Sequence, residues 1–361
     1  MNNKKRIYII AEAGVNHNGS IDMAKELIDA AAAAGADAVK FQTFKAEALV
    51  SVFAPKAEYQ KAVTNAEESQ LDMLRKLELG EAAHHELAKH CRFRGIQFLS
   101  TPFDVDCIKM LVERIKVPFL KIPSGEITNG PLLLKAARTK KPVILSTGMS
   151  TLSEIRTALG ALAFGYTRRN ELPSLAAFRD AHRSKAGQRA LKANITLLHC
   201  TTEYPAPFID VNLRAMETLR ETFGLPVGLS DHTAGIAVSI AAAALGASTI
   251  EKHFTLDRNL QGPDHKASIE PADLRRMVQS IREVEVALGS EKKGPVQSEL
   301  KNLAIARKSL VAIQDISRGE RFTEKNLGYK RPGTGITPLK YWQMLGKKAG
   351  KTYWKDEMIT I

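Results

Sequence analysis

No apolar run in the 361-residue sequence approaches the roughly 18 residues that a membrane-spanning helix needs. The Lys4-Lys5-Arg6 start leads into a short apolar stretch. Glu12, Asn16 and His17 interrupt it before any small-residue cleavage site, so it reads as a buried strand entering a polar region rather than a secretory leader. Cysteine is scarce. Cys91, Cys107 and Cys200 are scattered and never at C-x-x-C spacing, which excludes a disulfide framework or a cysteine-only zinc site and makes a reducing cytoplasm the default. No G-x-G-x-x-G follows the first β-like run, so the phosphate turn of a doubly wound dinucleotide fold is missing. Helix-turn-helix and zinc-finger patterns are absent too, as is any basic face interleaved with aromatics, which argues against a nucleic-acid partner despite a net charge of +13.

That charge is localised. Residues 165–193 carry net +5 and residues 306–361 net +7, leaving the remainder nearly neutral. A solvated basic surface is the simplest reading; a field that draws in an anionic small substrate is the functional one. A hydrophobic fraction of 44% supports a sizeable core, and the length suits about two domains.

Residues 1–289 read as strand and helix in alternation. Eight short β-rich runs (Tyr8–Gly14, Ala38–Phe44, Ile96–Phe103, Phe119–Gly125, Pro142–Met149, Ile195–Thr201, Pro226–Thr233 and Ser248–Thr255) are separated by helical patterns. Glycines such as Gly35, Gly95, Gly224 and Gly246 stand where those helices should end. Eight such units predict an α/β fold, a (β/α)8 TIM barrel. Residues 165–193, polar and without a clear period, read as a helical or irregular insertion at the face opposite the usual active site. Residues 290–305 have linker composition. Residues 306–361 form a small second domain with β-like runs Ser309–Ala312 and Met358–Ile361 and the turn Lys330–Gly335; about 55 residues is little for an independent core.

Catalytic groups of a TIM barrel sit at the C-terminal ends of its strands. There the sequence places Glu12, Lys40, Gln42, Thr101, Lys121, Ser124, Glu126, Ser146, His199, Thr202, Tyr204, Ser230, Asp231, His232, Glu251 and His253. Lys40 and Lys121 with the hydroxyls of Thr101, Ser124, Ser146 and Ser230 suit a phosphate plus a carboxylate. His232 and His253, on neighbouring strands, can converge on one divalent cation acting as a Lewis acid. Glu12 and Glu126 are candidates for proton transfer. His84, His85, His90 and His182 fall on helix or insertion patterns and read as surface; Cys200 reads as a buried thiol without a base.

The runs IIAEAGVNHNGS, VKFQTFKA, FLSTPFD, LKIPSGEITN, VILSTGM, LLHCTTEYPAPF, VGLSDHT, IEKHFTLD and GPDHKAS occur in this order, followed by KRPGTGI. Together they resemble the bacterial sialic acid synthase family over almost the whole chain, with a C-terminal antifreeze-like (SAF) domain. The resemblance implies condensation of phosphoenolpyruvate with N-acetylmannosamine to give N-acetylneuraminate and phosphate. It implies phosphoenolpyruvate binding by Lys40, Thr101, Lys121, Ser124, Ser146, Thr202 and Ser230. Glu12 would handle the proton of the water that adds to the enol carbon. Gln42, Tyr204 and Asp264 would contact the sugar, with Glu126 among them. His232 and His253 would hold Mn²⁺, with Mg²⁺ or Co²⁺ the other candidates. Arg331 would reach the sugar's N-acetyl group from the partner of a domain-swapped homodimer. EAGVNHNG and HCTTEYPAPF also occur in diacetyllegionaminate synthases, whose sugar is a 2,4-diacetamido-trideoxymannose; that is the alternative. A Schiff-base aldolase using Lys40 or Lys121, and a non-catalytic glycan- or ice-binding module, are the remaining readings.

Overall fold

The computed structural model describes residues 6–56, 68–168 and 170–360. Lys4, Lys5, Arg169 of the basic insertion and Ile361 of the expected last strand lie outside them. The chain divides into two compact units, 1–289 and 290–361.

All eight expected strands of the first unit are present: β1 (Tyr8–Gly14), β2 (Ala38–Thr43), β3 (Gln97–Pro102), β4 (Leu120–Ile122), β5 (Val143–Ser146), β6 (Ile195–Cys200), β7 (Val227–Asp231) and β8 (Thr249–His253). They pair in parallel in the order β3-β2-β1-β8-β7-β6-β5-β4, and the two end strands lie side by side, so the sheet closes on itself as a TIM-like barrel. Ladder bonds join every neighbouring pair except β3 and β4. The surrounding helices are α1 (Ile21–Ala34), α2 (Gln70–Arg75), α3 (Glu81–Arg94), α4 (Val105–Lys109, running into a π-helical turn Met110–Ile115), α5 (Gly130–Arg138), α6 (Leu152–Thr167), α7 (Leu175–Arg183), α8 (Lys185–Asn194), α9 (Ala215–Phe223), α10 (Ala237–Ala244) and α11 (Pro271–Ala287).

Local chemistry sets these boundaries. The Ser20 side chain accepts from the Met23 N–H at the start of α1, and Gly35 at its end adopts φ +80°, a conformation that a side chain resists. Thr151 and Glu154 form a reciprocal capping box at the start of α6. The main apolar core fills the layer between strands and helices.

Of the two readings of the insertion, helical or irregular, the helical one holds. α7 and α8 are well-formed helices that pack along the flank of α6, with Phe164 and Phe178 edge-to-face at 5.4 Å. Ser174 and Ser184 cap them. The buried face was hard to read because it consists of small or isolated residues, Phe178, Ala181, Gly187 and Leu191, set among exposed arginines and lysines.

The second unit opens with α12 (Gln297–Ala306), a helix with no buried residue where composition suggested only a linker. Glu299 accepts from the Val296 N–H at its start. Beyond it, β9 (Ser309–Ala312) and β10 (Leu327–Lys330) pair antiparallel over a core of Leu310, Ile316, Phe322, Leu327, Tyr353 and Ile359. The expected strand at Met358 is reduced to a single bridge with Val311.

Gly228 of β7 is a point where the barrel has no slack, since a Cβ there would lie 2.1 Å from the Thr249 carbonyl oxygen on β8. Gly228→Ala is expected to destabilise the barrel by about 1–3 kcal/mol or more. Thermal unfolding of the two proteins side by side checks this; an unchanged melting temperature contradicts it.

Candidate active site

The barrel interior is layered by the two-residue period of its strands. Ile10, Ala38, Leu99, Ile144 and Leu198 form an apolar floor inside the ring, with Tyr8 and Phe119 packed against it. Two residues further along the same strands stand Glu12, Lys40, Thr101, Ser146 and Cys200, and Lys121 follows Phe119 in the same way. The polar groups are therefore the next layer of the core, opening toward the C-terminal rim.

They line one cavity of about 260 Å³. Of the residues that the family resemblance assigns to the site, all are on its wall except Glu126 and Arg331; of the other strand-end groups Glu251 is on it, whereas His199 and Asp231 are not. Glu126 is half-buried and accepts from Asn129 Nδ2 at 2.6 Å, in the turn leading to α5. Arg331 is exposed on the second unit.

At the floor of the cavity four charges balance. Lys40 Nζ lies 2.5 Å from Glu12 Oε2 and 3.6 Å from Glu251 Oε2, and donates to Thr101 Oγ1 at 2.8 Å. Lys121 Nζ lies 3.2 Å from Glu251 Oε1, which also accepts from Ser230 Oγ at 2.9 Å. All four side chains are buried. Burial pushes the Glu12 carboxyl up to about 7; Lys40 opposes that shift and Glu251 adds to it. Burial acts the same way on Glu251, but Lys121, Lys40 and the Ser230 hydroxyl outweigh it and hold that carboxyl below its ordinary value. Burial disfavours the Lys40 ammonium, yet Glu12 and Glu251 keep its pKa raised. One carboxylate thus stays ionised while the other is poised near neutrality. Glu251 is the functional residue that the sequence reading passed over as one strand end among many; the sign of its role was a carboxylate two residues before His253 in a ring already holding two lysines.

Ser146 Oγ is buried without a hydrogen-bond partner, and Ser124 Oγ accepts from the Gly148 N–H at 3.0 Å. With Lys40, Lys121 and Ser230 these groups form a dense set of donors facing one space, which suits a small polyanion.

His232 and His253 face each other with ring centroids 5.4 Å apart, and Tyr204 packs on both, at 4.3 and 5.5 Å. His232 Nδ1 donates to the Thr201 carbonyl at 2.6 Å, which leaves its Nε2 with a free lone pair. His253 Nδ1 is buried without a partner and lies 3.9 Å from Asp264 Oδ2. Burial, His232 and Lys40 hold His253 well below the usual imidazole range, so it is a neutral donor at pH 7. Asp264 is raised to about 6 by burial, with His232 and Lys40 opposing. Burial disfavours the charged form of His232, but Cys200 and the Thr201 carbonyl outweigh it and hold the ring above its ordinary value. Once His232 has released that proton, the two imidazoles, one fixed by a backbone carbonyl and one with an orphaned nitrogen, fit a divalent cation with several positions left open. Among the described residues no group of three or more His, Cys, Asp or Glu side chains is placed to hold a metal. Behind His232, Asp231 accepts from Thr233 and Ser239 and pairs with Lys252 at 3.0 Å, a closed buried network that fixes this turn.

Two smaller readings need correction. His84 is fully buried, bonded to Thr43 Oγ1 at 2.7 Å and to the Gly80 carbonyl at 2.9 Å, not on the surface. Cys200 does have a ring beside it, with its Sγ 3.7 Å from His232 Nδ1.

Residues 27–293 match the NeuB family and residues 307–361 the SAF domain. The chain belongs to the NeuB family. It is 52% identical to an N,N'-diacetyllegionaminic acid synthase of Campylobacter jejuni over 98% of this chain and 99% of that one. A synthase of the same name from Legionella pneumophila is 46% identical over 94% and 90%. Among solved structures, an N-acetylneuraminic acid synthetase of Leptospira borgpetersenii in complex with citrate is 34% identical, with a TM-score of 0.66 over 84% of this chain and 94% of that one.

Because Glu12 binds its proton more tightly folded than unfolded, its stabilising contribution is complete below about 4.5 and is lost as pH rises to about 7. The melting-temperature difference between wild type and Glu12→Gln is therefore expected to move in favour of the variant across that window. A pH-independent difference contradicts the assignment.

Proposed function

We propose that this chain, a phosphoenolpyruvate-dependent nonulosonic acid synthase, condenses phosphoenolpyruvate with a 2,4-diacetamido-trideoxymannose in the cytoplasm and releases phosphate. The observation that carries the reading is the single cavity in which the lysine and hydroxyl cradle faces the His232–His253 pair. The 52% identity to a diacetyllegionaminic acid synthase favours this sugar over N-acetylmannosamine, the second reading, which the likeness to the N-acetylneuraminic acid synthetase supports.

Lys40 and Lys121, with Thr101, Ser124, Ser146, Thr202 and Ser230, neutralise and orient phosphoenolpyruvate. Gln42, Tyr204 and Asp264 orient the open-chain sugar so that its aldehyde carbon meets the methylene carbon of the enol. His232 and His253 would hold the divalent cation, Mn²⁺ with Mg²⁺ or Co²⁺ as substitutes; when bound, it supplies Lewis-acid polarisation of a carbonyl oxygen. Once the new C–C bond has formed, water adds at the former enol carbon. Glu12, poised near pH 7, accepts the proton of that water, and cleavage of the C–O bond to phosphate completes the exchange. Glu126, off the cavity wall and bonded to Asn129, takes no part in these steps. A Schiff-base route is disfavoured because Lys40 is held protonated by two carboxylates and is a poor nucleophile.

The test is phosphate release from phosphoenolpyruvate with either sugar, with Mn²⁺ and with chelator. Lys121→Ala is expected to raise the KM for phosphoenolpyruvate roughly 10- to 150-fold, the loss of one charge-assisted contact of about 1.5–3 kcal/mol. A change confined to the sugar's KM contradicts the cradle.

Arg331 is proposed to act on the sugar from the partner subunit of a domain-swapped homodimer. Co-expressed Arg331→Ala and His232→Ala chains, each inactive alone, should then regain part of the activity in hybrid dimers. Hybrid dimers confirmed by mass spectrometry yet fully inactive contradict the swapped arrangement.

A further inference from the structure

The cavity is not polar all round. Its flank toward β1–β3 is made of Val15 in the turn after β1, Met73, Leu74 and Leu77 on and just past α2, and Phe103 after β3. No side chain among these five offers a strong hydrogen-bond donor or acceptor. Val15, Met73 and Leu77 are buried, whereas Leu74 and Phe103 are half-buried. The wall has its own backing: Val15, Phe44 and Leu77 form a separate apolar cluster against which Leu49, Leu74 and Phe103 pack, with Phe44 and Phe103 edge-to-face at 6.1 Å. It is therefore a packed surface with a fixed shape.

The cradle groups on and just after β2 to β7, Lys40 and Thr101 included, hold the anion, and the aldehyde end of the sugar lies toward the imidazoles that follow β7 and end β8. This assignment rests on the proposed synthase reading. Val15, Phe103 and the α2 residues stand beyond the ends of β1, β2 and β3, past Lys40 and Thr101 of the cradle, which leaves them for the carbons at the other end of the chain, C4 to C6. A hydroxyl pressed against such a surface gives up water and finds no partner, whereas a methyl group fits. We propose that this apolar wall selects the sugar by its far end, accepting a C6 methyl and the methyl of a C4 acetamido group and discriminating against hydroxyls at those carbons. Leu74 and Phe103, which meet the cavity while only half-buried, are the specificity-determining residues.

The experiment compares kcat/KM for three sugars at saturating phosphoenolpyruvate: N-acetylmannosamine, its 6-deoxy analogue, and 2,4-diacetamido-2,4,6-trideoxymannose. Wild type is expected to favour the 6-deoxy sugar over N-acetylmannosamine by about 10- to 200-fold, the range for one such group in an apolar pocket, and to gain further with the diacetamido sugar. Leu74→Gln and Phe103→Tyr should each shrink that preference about 10-fold through the sugar's KM, with the KM for phosphoenolpyruvate unchanged. Phe103→Tyr keeps the ring, so it carries the test if Leu74→Gln does not fold. Equal use of the three sugars by wild type, or variants that slow all three alike, overturns the selective wall and leaves the synthase reading standing. No turnover with any sugar overturns the synthase reading, and the wall's role with it.

Discussion

Four buried charges at the mouth of a closed barrel are the constraint on which the rest depends. With both carboxyls ionised, Glu12, Lys40, Lys121 and Glu251 sum to zero, and all four side chains are buried. Removing one partner from such a set strands the others in a low-dielectric interior, which costs far more than the pairs contribute to stability. The cluster is tolerable because β1, β2, β4 and β8 deliver one member each to one cavity, with Glu12 and Lys40 at the same height as register partners. That height is set by the apolar layer beneath: Ile10 fixes where Glu12 stands, and Ala38 fixes Lys40. Site chemistry and core packing are thus successive rows of one interior.

The same geometry sets the two carboxyls apart. The asymmetry between two carboxylates of one ring, one held ionised by both lysines and a serine, the other pushed toward neutrality, arises from their neighbours and not from their own strands. An arriving polyanion would compete with Glu251 for the lysines, so the resting cluster is both the scaffold of the anion site and its first occupant.

Much of this was legible in the sequence. Eight β-rich runs and their terminal polar residues located the barrel and most of the polar part of the cavity wall, because strand ends in a closed parallel sheet must converge. Glu251 was harder: its importance lies in through-space neighbours on β2 and β4, which no local pattern reveals. His84 and His85 are adjacent in sequence, and only the turn of α3 decides that the first meets Thr43 and the second meets water. α7 and α8 were left between helical and irregular because their few buried residues are set among exposed charges, and α12 escaped because a solvated helix leaves no periodic trace. The wall of Val15, Met73, Leu74, Leu77 and Phe103 comes from three segments that only the fold assembles.

The missing ladder between β3 and β4 has a mechanical meaning. Thr101 stands on one side of that join and Lys121 on the other, and no backbone hydrogen bond holds the two strands together. A ligand gripped by both residues bridges the seam from inside. On the proposed reading, substrate capture is also a clasp, tightening the barrel at the join of β3 and β4, where no ladder bond holds it.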